Sequence, residues 1–152
     1  MVTRAIGIDE ASMRQTYCVF NRTRESFLGL RVTSADTWLM RLRGALGRLG
    51  MKPDDGIWLA PSSGIHTIGM LFPIDLIYLD EANRVIHMVE HLGPGRISPI
   101  RIGCASILEL ESRTIYSSNT KVGDELLICA PEDIDKHCGR NRAPPAMAAG
   151  QC

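Results

Sequence analysis

The most informative part of this chain is the segment His66-Thr67-Ile68-Gly69-Met70-Leu71-Phe72-Pro73-Ile74-Asp75-Leu76-Ile77-Tyr78-Leu79-Asp80. A loop with one histidine leads through a proline into a strand so apolar that both of its faces must be covered. Successive side chains of a strand point to opposite faces, so Ile74, Leu76 and Tyr78 share one side. Asp75 lies on the other side, and a buried carboxylate is costly unless it is paired. We therefore expect Asp75 to accept hydrogen bonds from backbone N–H groups of the 66–70 loop or from an arginine.

Further strands are predicted on both sides of this segment, where β-branched, aromatic and aliphatic residues stand between turn residues. The predicted strands are residues 15–21, 26–32, 57–60, 84–92, 104–110 and 125–129. The first two form a hairpin. Residues 84–92 follow a tight turn in which Asn83 takes a left-handed conformation. The apolar residues of 84–92 predict burial on both of its sides.

One helix is predicted early in the chain, because Thr33 or Ser34 provides an N-cap and Asp36 lies in the first turn. Its apolar stripe consists of Trp38, Leu39, Leu42, Ala45, Leu46 and Leu49. Gly44 and Gly47 weaken it, so we expect it to end near residue 43.

These elements predict a mainly β fold, with sandwich-like or barrel-like antiparallel sheets and one early short helix. An α+β arrangement is the alternative. The length of 152 residues suits one domain. We expect a flexible arm at 1–13, a single β domain at 14–130 and a disordered tail at 131–152, where Pro, Ala, Gly and charged residues prevail.

Composition narrows the classes of function. Seventeen basic residues balance seventeen acidic ones, and aromatic residues make up 5%, too few for a base-stacking surface. No apolar run approaches the ~18 residues of a membrane span. The five cysteines form no C-x-x-C pair, which favours free thiols and a cytoplasmic location, although an exported precursor stays open.

Several segments together resemble one protein family. They are 41–48 (RLRGALGR), 56–59 (GIWL), 66–70 (HTIGM), 72–80 (FPIDLIYLD), 108–110 (LEL) and 122–124 (VGD). In order and spacing this pattern is similar to the domain-of-unknown-function family 192, also called uncharacterised protein family 0127, over about residues 16–129. The resemblance implies a compact, mostly β domain of bacterial or archaeal type and no established activity. The chain departs from the family pattern in two turns, at Asn83 and after Glu109.

The polar residues near the apolar strands provide the candidates for a site. His66, Asp75 and Glu109 are the types of residue that act as acids and bases or bind metals. The structural interpretation, that the two carboxylates satisfy backbone donors, is favoured over a catalytic one. His87 and His91 lie on a predicted strand about 13 Å apart, since each residue advances ~3.3 Å, so joint metal binding is not expected.

The leading hypothesis is a non-enzymatic β domain that binds a small ligand or a partner protein with the His66–Pro73 segment and the Gly93–Pro99 loop. The candidate binding residues are His66, Thr67, Met70, Asp75 and Arg96. No metal or cofactor is predicted, and the oligomeric state stays open. The alternative is a metal-dependent or hydrolase-like enzyme that uses His66, Asp75 and Glu109. A weaker hypothesis is nucleic-acid binding by Arg22, Arg24, Arg31, Arg41 and Arg48.

Overall fold

The computed structural model describes residues 15–35 and 50–138. The strands in these ranges are β1 (Thr16–Asn21), β2 (Ser26–Ala35), β3 (Asp55–Leu59), β4 (Ile74–Leu79), β5 (Val85–Leu92), β6 (Ser106–Glu111) and β7 (Leu126–Cys129). The helices are α1 (Thr114–Ser118) and α2 (Ile134–Cys138), and a 3-10 turn at Pro131–Asp133 leads into α2. None of the helices in the described ranges is long and apolar enough to cross a membrane.

The seven strands form one sheet in the order β5-β4-β6-β3-β2-β1-β7. The sheet curls into a half-barrel, and its two outer strands approach each other at one end. There Arg84 and Glu125 form an isolated bridge. The backbone N–H of Val85 donates to the carbonyl of Asp124 at 2.9 Å. The predicted mainly β fold is confirmed.

One strand pair differs from the predicted antiparallel arrangement. β2 and β3 run parallel, with Val32 opposite Gly56 and Ala35 opposite Leu59. A parallel pair needs a crossover connection of about a dozen residues or more, and the segment 36–54 between these strands is long enough to provide it. The sheet is therefore mixed.

β4 is the centre of the fold, and all six of its residues are buried. Ile77 and Leu79 pack into one core cluster with Leu108, Leu110 and Ile115 of α1, here named the helix-side cluster. The other side of β4 packs into a second one, here named the loop-side cluster, since it includes residues of the loop that precedes β4. The prediction that both faces of this strand are covered is confirmed.

The early helix is wrong at its predicted start, because Thr33 and Ser34 belong to β2. These residues pair with β1 on one side and with β3 on the other, and the ladder extends the strand beyond the point where the N-cap pattern would end it. The rest of the predicted helix, from Asp36, lies outside the described residues. The predicted β1–β2 hairpin is confirmed, as is the left-handed conformation of Asn83, which has φ 58°.

The prediction that residues 84–92 are buried on both sides is wrong. β5 is an edge strand whose one neighbour in the order of the described strands is β4, and of its eight residues only Val85 is buried. The apolar side chains of Ile86, Val89 and Leu92 pack at the margin of the loop-side cluster and keep partial exposure. Hydrophobic pattern alone does not distinguish an edge strand from a central one.

The beginning of the predicted disordered tail is helical. Residues 131–138 form the 3-10 turn and α2, and Ile134 is buried. Burial of one large aliphatic side chain stabilises a short segment that the surrounding composition would leave unfolded. The remainder of the predicted tail and the N-terminal arm lie outside the described residues.

Candidate functional site

Asp75 lies at a structural junction of the fold. Its carboxylate is fully buried. Oδ1 accepts a hydrogen bond from the backbone N–H of His91, and Oδ2 accepts one from the backbone N–H of Ile115, both at 2.9 Å. Backbone amides were one of the two predicted kinds of donor, and the structure has such donors. They belong to β5 and α1, however, and not to the 66–70 loop.

Local irregularities explain both of these donors. The pairing of β4 with β5 passes from Ile74–Leu92 to Leu76–Val89, so β5 has an extra residue at this point. His91 takes φ 52°, and its N–H turns toward the carboxylate of Asp75 instead of a strand partner. The first residue before α1, Arg113, provides no side-chain cap. Asp75 therefore accepts from an N-terminal amide of α1, which helix N-termini otherwise leave unsatisfied.

Glu109 is also fully buried but lies on the opposite face of the sheet. In the β4–β6 ladder Leu76 pairs with Glu109, whereas Asp75 pairs with Leu110. Directly paired side chains share a face, so Glu109 lies on the loop side and Asp75 on the helix side. The sheet itself separates the two carboxylates that the enzyme hypothesis would combine.

The remaining candidates for a metal site are also dispersed. His66 is exposed on a loop. The Nδ1 of His91 lies 2.6 Å from the Oγ of Ser112. The described residues contain no group of three or more His, Cys, Asp or Glu that could hold a metal ion.

Two loops lie side by side over the loop-side cluster. Residues 60–73 join the end of β3 to the start of β4, and residues 93–103 lead from β5 toward β6. The strand register places Leu59 near one end of the sheet and Ile74 at the other, so the first loop runs along the length of the strands. We name this pair of segments the loop platform.

Thr67 holds the two loops together and is fully buried. Its N–H donates to the carbonyl of Arg96 at 2.8 Å, and its carbonyl accepts from the N–H of Gly95 at 2.9 Å. Its hydroxyl donates to the carbonyl of Gly93 at 2.6 Å and accepts from the N–H of Arg96 at 2.9 Å. The structure thus places this predicted binding residue in a structural position.

Further contacts extend the connection along the loops. The N–H of Ser98 donates to the carbonyl of Ile65, and the N–H of Ile65 donates to the Oγ of Ser98, each at 2.8 Å. The phenol of Tyr78 in β4 donates to the carbonyl of Pro99 at 2.8 Å. Ile65, Met70 and Phe72 are buried in the loop-side cluster. Met70, also predicted to bind, is therefore a core residue that anchors the platform.

The platform carries most of the exposed large hydrophobic side chains of the described residues. Seven large hydrophobic side chains in the described ranges are exposed, and five of them belong to the platform: Ile68, Leu71, Ile97, Ile100 and Ile102. Their exposed fractions run from 57% to 102%. The sequence predicted that these two loops form the binding surface, but the exposed aliphatic residues were not among the predicted binding residues. The signal was present in 97–102 (ISPIRI), where isoleucine recurs in a segment whose Pro99 excludes a central strand.

The charges of the platform all have one sign. Residues 60–73 and 93–103 contain no Asp or Glu, and their charged residues are Arg96 and Arg101. The Nη2 of Arg101 lies 3.3 Å from the Nε2 of His87 on β5. Burial and the Arg101 guanidinium lower the pKa of His87. The lowered pKa favours the neutral imidazole, whose Nε2 can accept from the guanidinium.

The fold and this surface define a class: a mixed-sheet half-barrel with two linked loops packed against one face of the sheet. The family model for DUF192, described as uncharacterised ACR, matches residues 19–128. The chain belongs to this family. No curated protein sequence matches it at a significant level.

Two solved structures share the fold. A protein of unknown function from Novosphingobium aromaticivorans DSM 12444 is 17% identical, with a TM-score of 0.62 over 74% of this chain and 83% of that one. A protein from Sinorhizobium meliloti 1021, provisionally described as a transcription regulator, is 20% identical, with a TM-score of 0.64 over 75% of this chain and 92% of that one. At these identities the similarity shows the fold alone.

Proposed function

We propose that this protein is a non-enzymatic module that binds a partner protein through the loop platform. The observation that carries the proposal is the concentration of exposed aliphatic side chains on two hydrogen-bonded loops. Exposed apolar residues scattered singly are ordinary, whereas a concentration of them marks an interaction surface. Isoleucine in water is unfavourable, and a partner that covers several such side chains recovers about 25 cal/mol per Å² of apolar area.

The rigidity of the platform supports the same function. Thr67 and Ser98 hold the two loops in one geometry, and Met70 and Phe72 anchor them in the core. Loops that are ordered before binding lose little conformational entropy when the partner arrives, so more of the contact energy appears as affinity. The surface is therefore suited to recognition without rearrangement.

A protein partner fits this surface better than a small ligand does. Small-ligand sites are concave and enclose most of the ligand. Ile97, Ile100 and Ile102 are instead each more than two-thirds exposed. Side chains that project into solvent in this way are covered together by a large opposing surface.

The enzyme alternative has less support. Both carboxylate oxygens of Asp75 accept from backbone amides, and Glu109 lies across the sheet from it. Groups that transfer protons to one substrate must converge on it within hydrogen-bond distance. We therefore assign Asp75 to stability and exclude it from the proposed binding surface.

Site-specific photo-crosslinking in cells tests the proposal. A benzophenone amino acid is placed at Ile97 or Ile100, and matched controls carry it at Tyr116 or Val122, which are the large hydrophobic residues exposed elsewhere in the described part of the chain. We expect one protein to form adducts from both platform positions and from neither control. The crosslinked protein is then purified, and Ile100→Ser should weaken its binding at least tenfold. Equal adducts from all four positions, or unchanged binding by Ile100→Ser, would contradict the proposal.

A further inference from the structure

We infer that the partner of the loop platform presents a segment in which apolar side chains are flanked by Asp or Glu. This inference rests on the proposed function and specifies the chemistry of the partner. It is carried by the combination of exposed isoleucines with two arginines and no acidic residue on the same pair of loops.

The charge of the platform is local. The whole chain has a formal net charge of zero, so a surface that lacks carboxylates stands apart from the average of the molecule. Arg96 and Arg101 are both exposed, and each adjoins an exposed isoleucine in the sequence. A carboxylate beside an apolar side chain of the partner can therefore meet an arginine while its neighbour covers an isoleucine.

The cation is arginine at both positions. The planar guanidinium donates in a forked geometry that matches a carboxylate, and it carries less hydration than an ammonium group. The Arg101 guanidinium already has one neighbour, the Nε2 of His87, and retains further N–H groups for a partner.

An anionic membrane is a less suitable occupant. Surfaces that insert into the lipid interface combine basic residues with Trp, Phe or Leu, and anchoring at the interface favours Trp and Tyr. The platform contains no Lys, Trp or Tyr, and its one aromatic residue, Phe72, is buried in the core. The exposed apolar groups are thus aliphatic, and the platform lacks the Trp and Tyr that anchor a surface in the lipid interface.

A second copy of this chain is also a less suitable occupant. A two-fold symmetric contact brings the same surface patch together from both subunits. The arginines Arg96 and Arg101 of both copies would then lie in one interface, with no carboxylate on either platform to neutralise them. Like charges across an interface oppose association.

The test uses the purified full chain and three synthetic peptides. Each peptide has the same leucine- and phenylalanine-rich core, flanked by Glu, by Ser or by Lys, and dissociation constants are measured at low and high salt. We expect the Glu-flanked peptide to bind about tenfold more tightly than the Ser-flanked one at low salt, and salt to reduce the difference. The variant R96E/R101E should bind the Lys-flanked peptide more tightly than the Glu-flanked one, the reverse of the wild type. The matched control K52E/K121E changes the charge by the same amount at exposed positions outside the platform and should leave the Glu-flanked peptide the tighter binder.

The outcomes separate the two proposals. Peptides that bind through the isoleucines with no preference for Glu would overturn the inference on partner chemistry and leave the protein-binding function standing. A preference that R96E/R101E does not change would also overturn it, because the acidic contact would lie elsewhere. Isoleucine-dependent binding to phosphatidylserine vesicles, with no binding of any peptide, would replace a protein partner with a membrane. Failure of the photo-crosslinking experiment would overturn the proposed function itself.

Discussion

Asp75 shows how one side chain can connect three elements. It belongs to β4, accepts from the irregular part of β5 through His91, and accepts from the start of α1 through Ile115. These donors lie 16 and 40 residues away along the chain. Asp75 belongs to the segment that carries the family resemblance, and it is fully buried. Its contacts give it a structural role, because both carboxylate oxygens accept from backbone amides.

Replacement of Asp75 by alanine should destabilise the protein by about 1–3 kcal/mol, because two amides lose their acceptor inside the fold. Asp80 provides a matched control. Its Oδ1 also accepts from two backbone N–H groups, those of Ala82 and Arg84, each at 2.9 Å, but at an exposed turn. Water can replace that carboxylate, so Asp80→Ala should cost less. Urea unfolding of both variants measures the difference, and equal costs would show that burial of the Asp75 contacts does not matter.

Asp124 should make stability depend on pH in the acid range. Burial alone would raise the pKa of this carboxyl, but hydrogen bonds from Arg24, Asn21 and the backbone of Lys121 outweigh it and lower the pKa. A carboxyl with a depressed folded pKa stabilises the protein above its unfolded pKa of about 3.9, and this contribution disappears as pH falls through the folded value.

Free energies of unfolding measured from pH 7 down to acid should therefore show a loss of stability in the wild type below about pH 4 that is smaller in Asp124→Asn. The gap between the two proteins should be widest near neutral pH. A constant gap across the whole range would mean that ionisation of Asp124 contributes nothing.

At the scale of elements, β4 is a central strand that contributes side chains to the core on both faces of the sheet. Leu76 belongs to the loop-side cluster and Ile77 to the helix-side cluster, and both side chains are fully buried. Leu76→Ala and Ile77→Ala should each cost about 2–5 kcal/mol, because each leaves a cavity in a packed core. Ile102→Ala, at a fully exposed site, should change stability by less than about 0.5 kcal/mol. Denaturant unfolding of the three variants checks this, and a nearly silent change at either core position would contradict two-sided burial.

The short C-terminal helix should contribute to stability despite its composition. Ile134 is buried, and α2 follows directly from the 3-10 turn beside β7. A chain that ends at Cys138 should keep the melting temperature of the full protein within a few degrees. A chain that ends at Ala130 should melt lower by several degrees, since it loses the burial of one isoleucine, worth about 1.5–3 kcal/mol. Equal melting temperatures of the two truncated chains would show that α2 is dispensable.

At the scale of the whole molecule, changes on the surface of the loop platform should affect binding, and changes beneath it should affect stability. The triple change Ile97→Ser, Ile100→Ser and Ile102→Ser alters side chains that are already in solvent. We expect stability to remain within about 1 kcal/mol of the wild type and binding to the crosslinked partner to be lost. Thr67→Val is the converse control, because it removes the hydroxyl that joins the loops and should lower stability. Unfolding of the triple variant would show that these isoleucines support the fold.

Much of this architecture follows from the sequence itself. The apolar run of β4, the turn residues around it and the alternation along the strands predict a mainly β fold with a doubly covered central strand, because these signals depend only on neighbouring residues. The sequence also predicts that Asp75 is buried and that the loop before β4 is part of the functional surface. Its resemblance to DUF192 names the family that the family model confirms.

Other features depend on contacts between residues far apart in the chain, and only the tertiary structure decides them. The order of strands makes β5 an edge and the β2–β3 pair parallel. The register of β4 with β6 places Asp75 and Glu109 on opposite faces. Packing of two loops over one face buries Met70 and leaves Ile97, Ile100 and Ile102 in solvent. A strand's own sequence specifies which residues alternate, but its partners determine which face is core, which is surface and which donors a buried carboxylate meets.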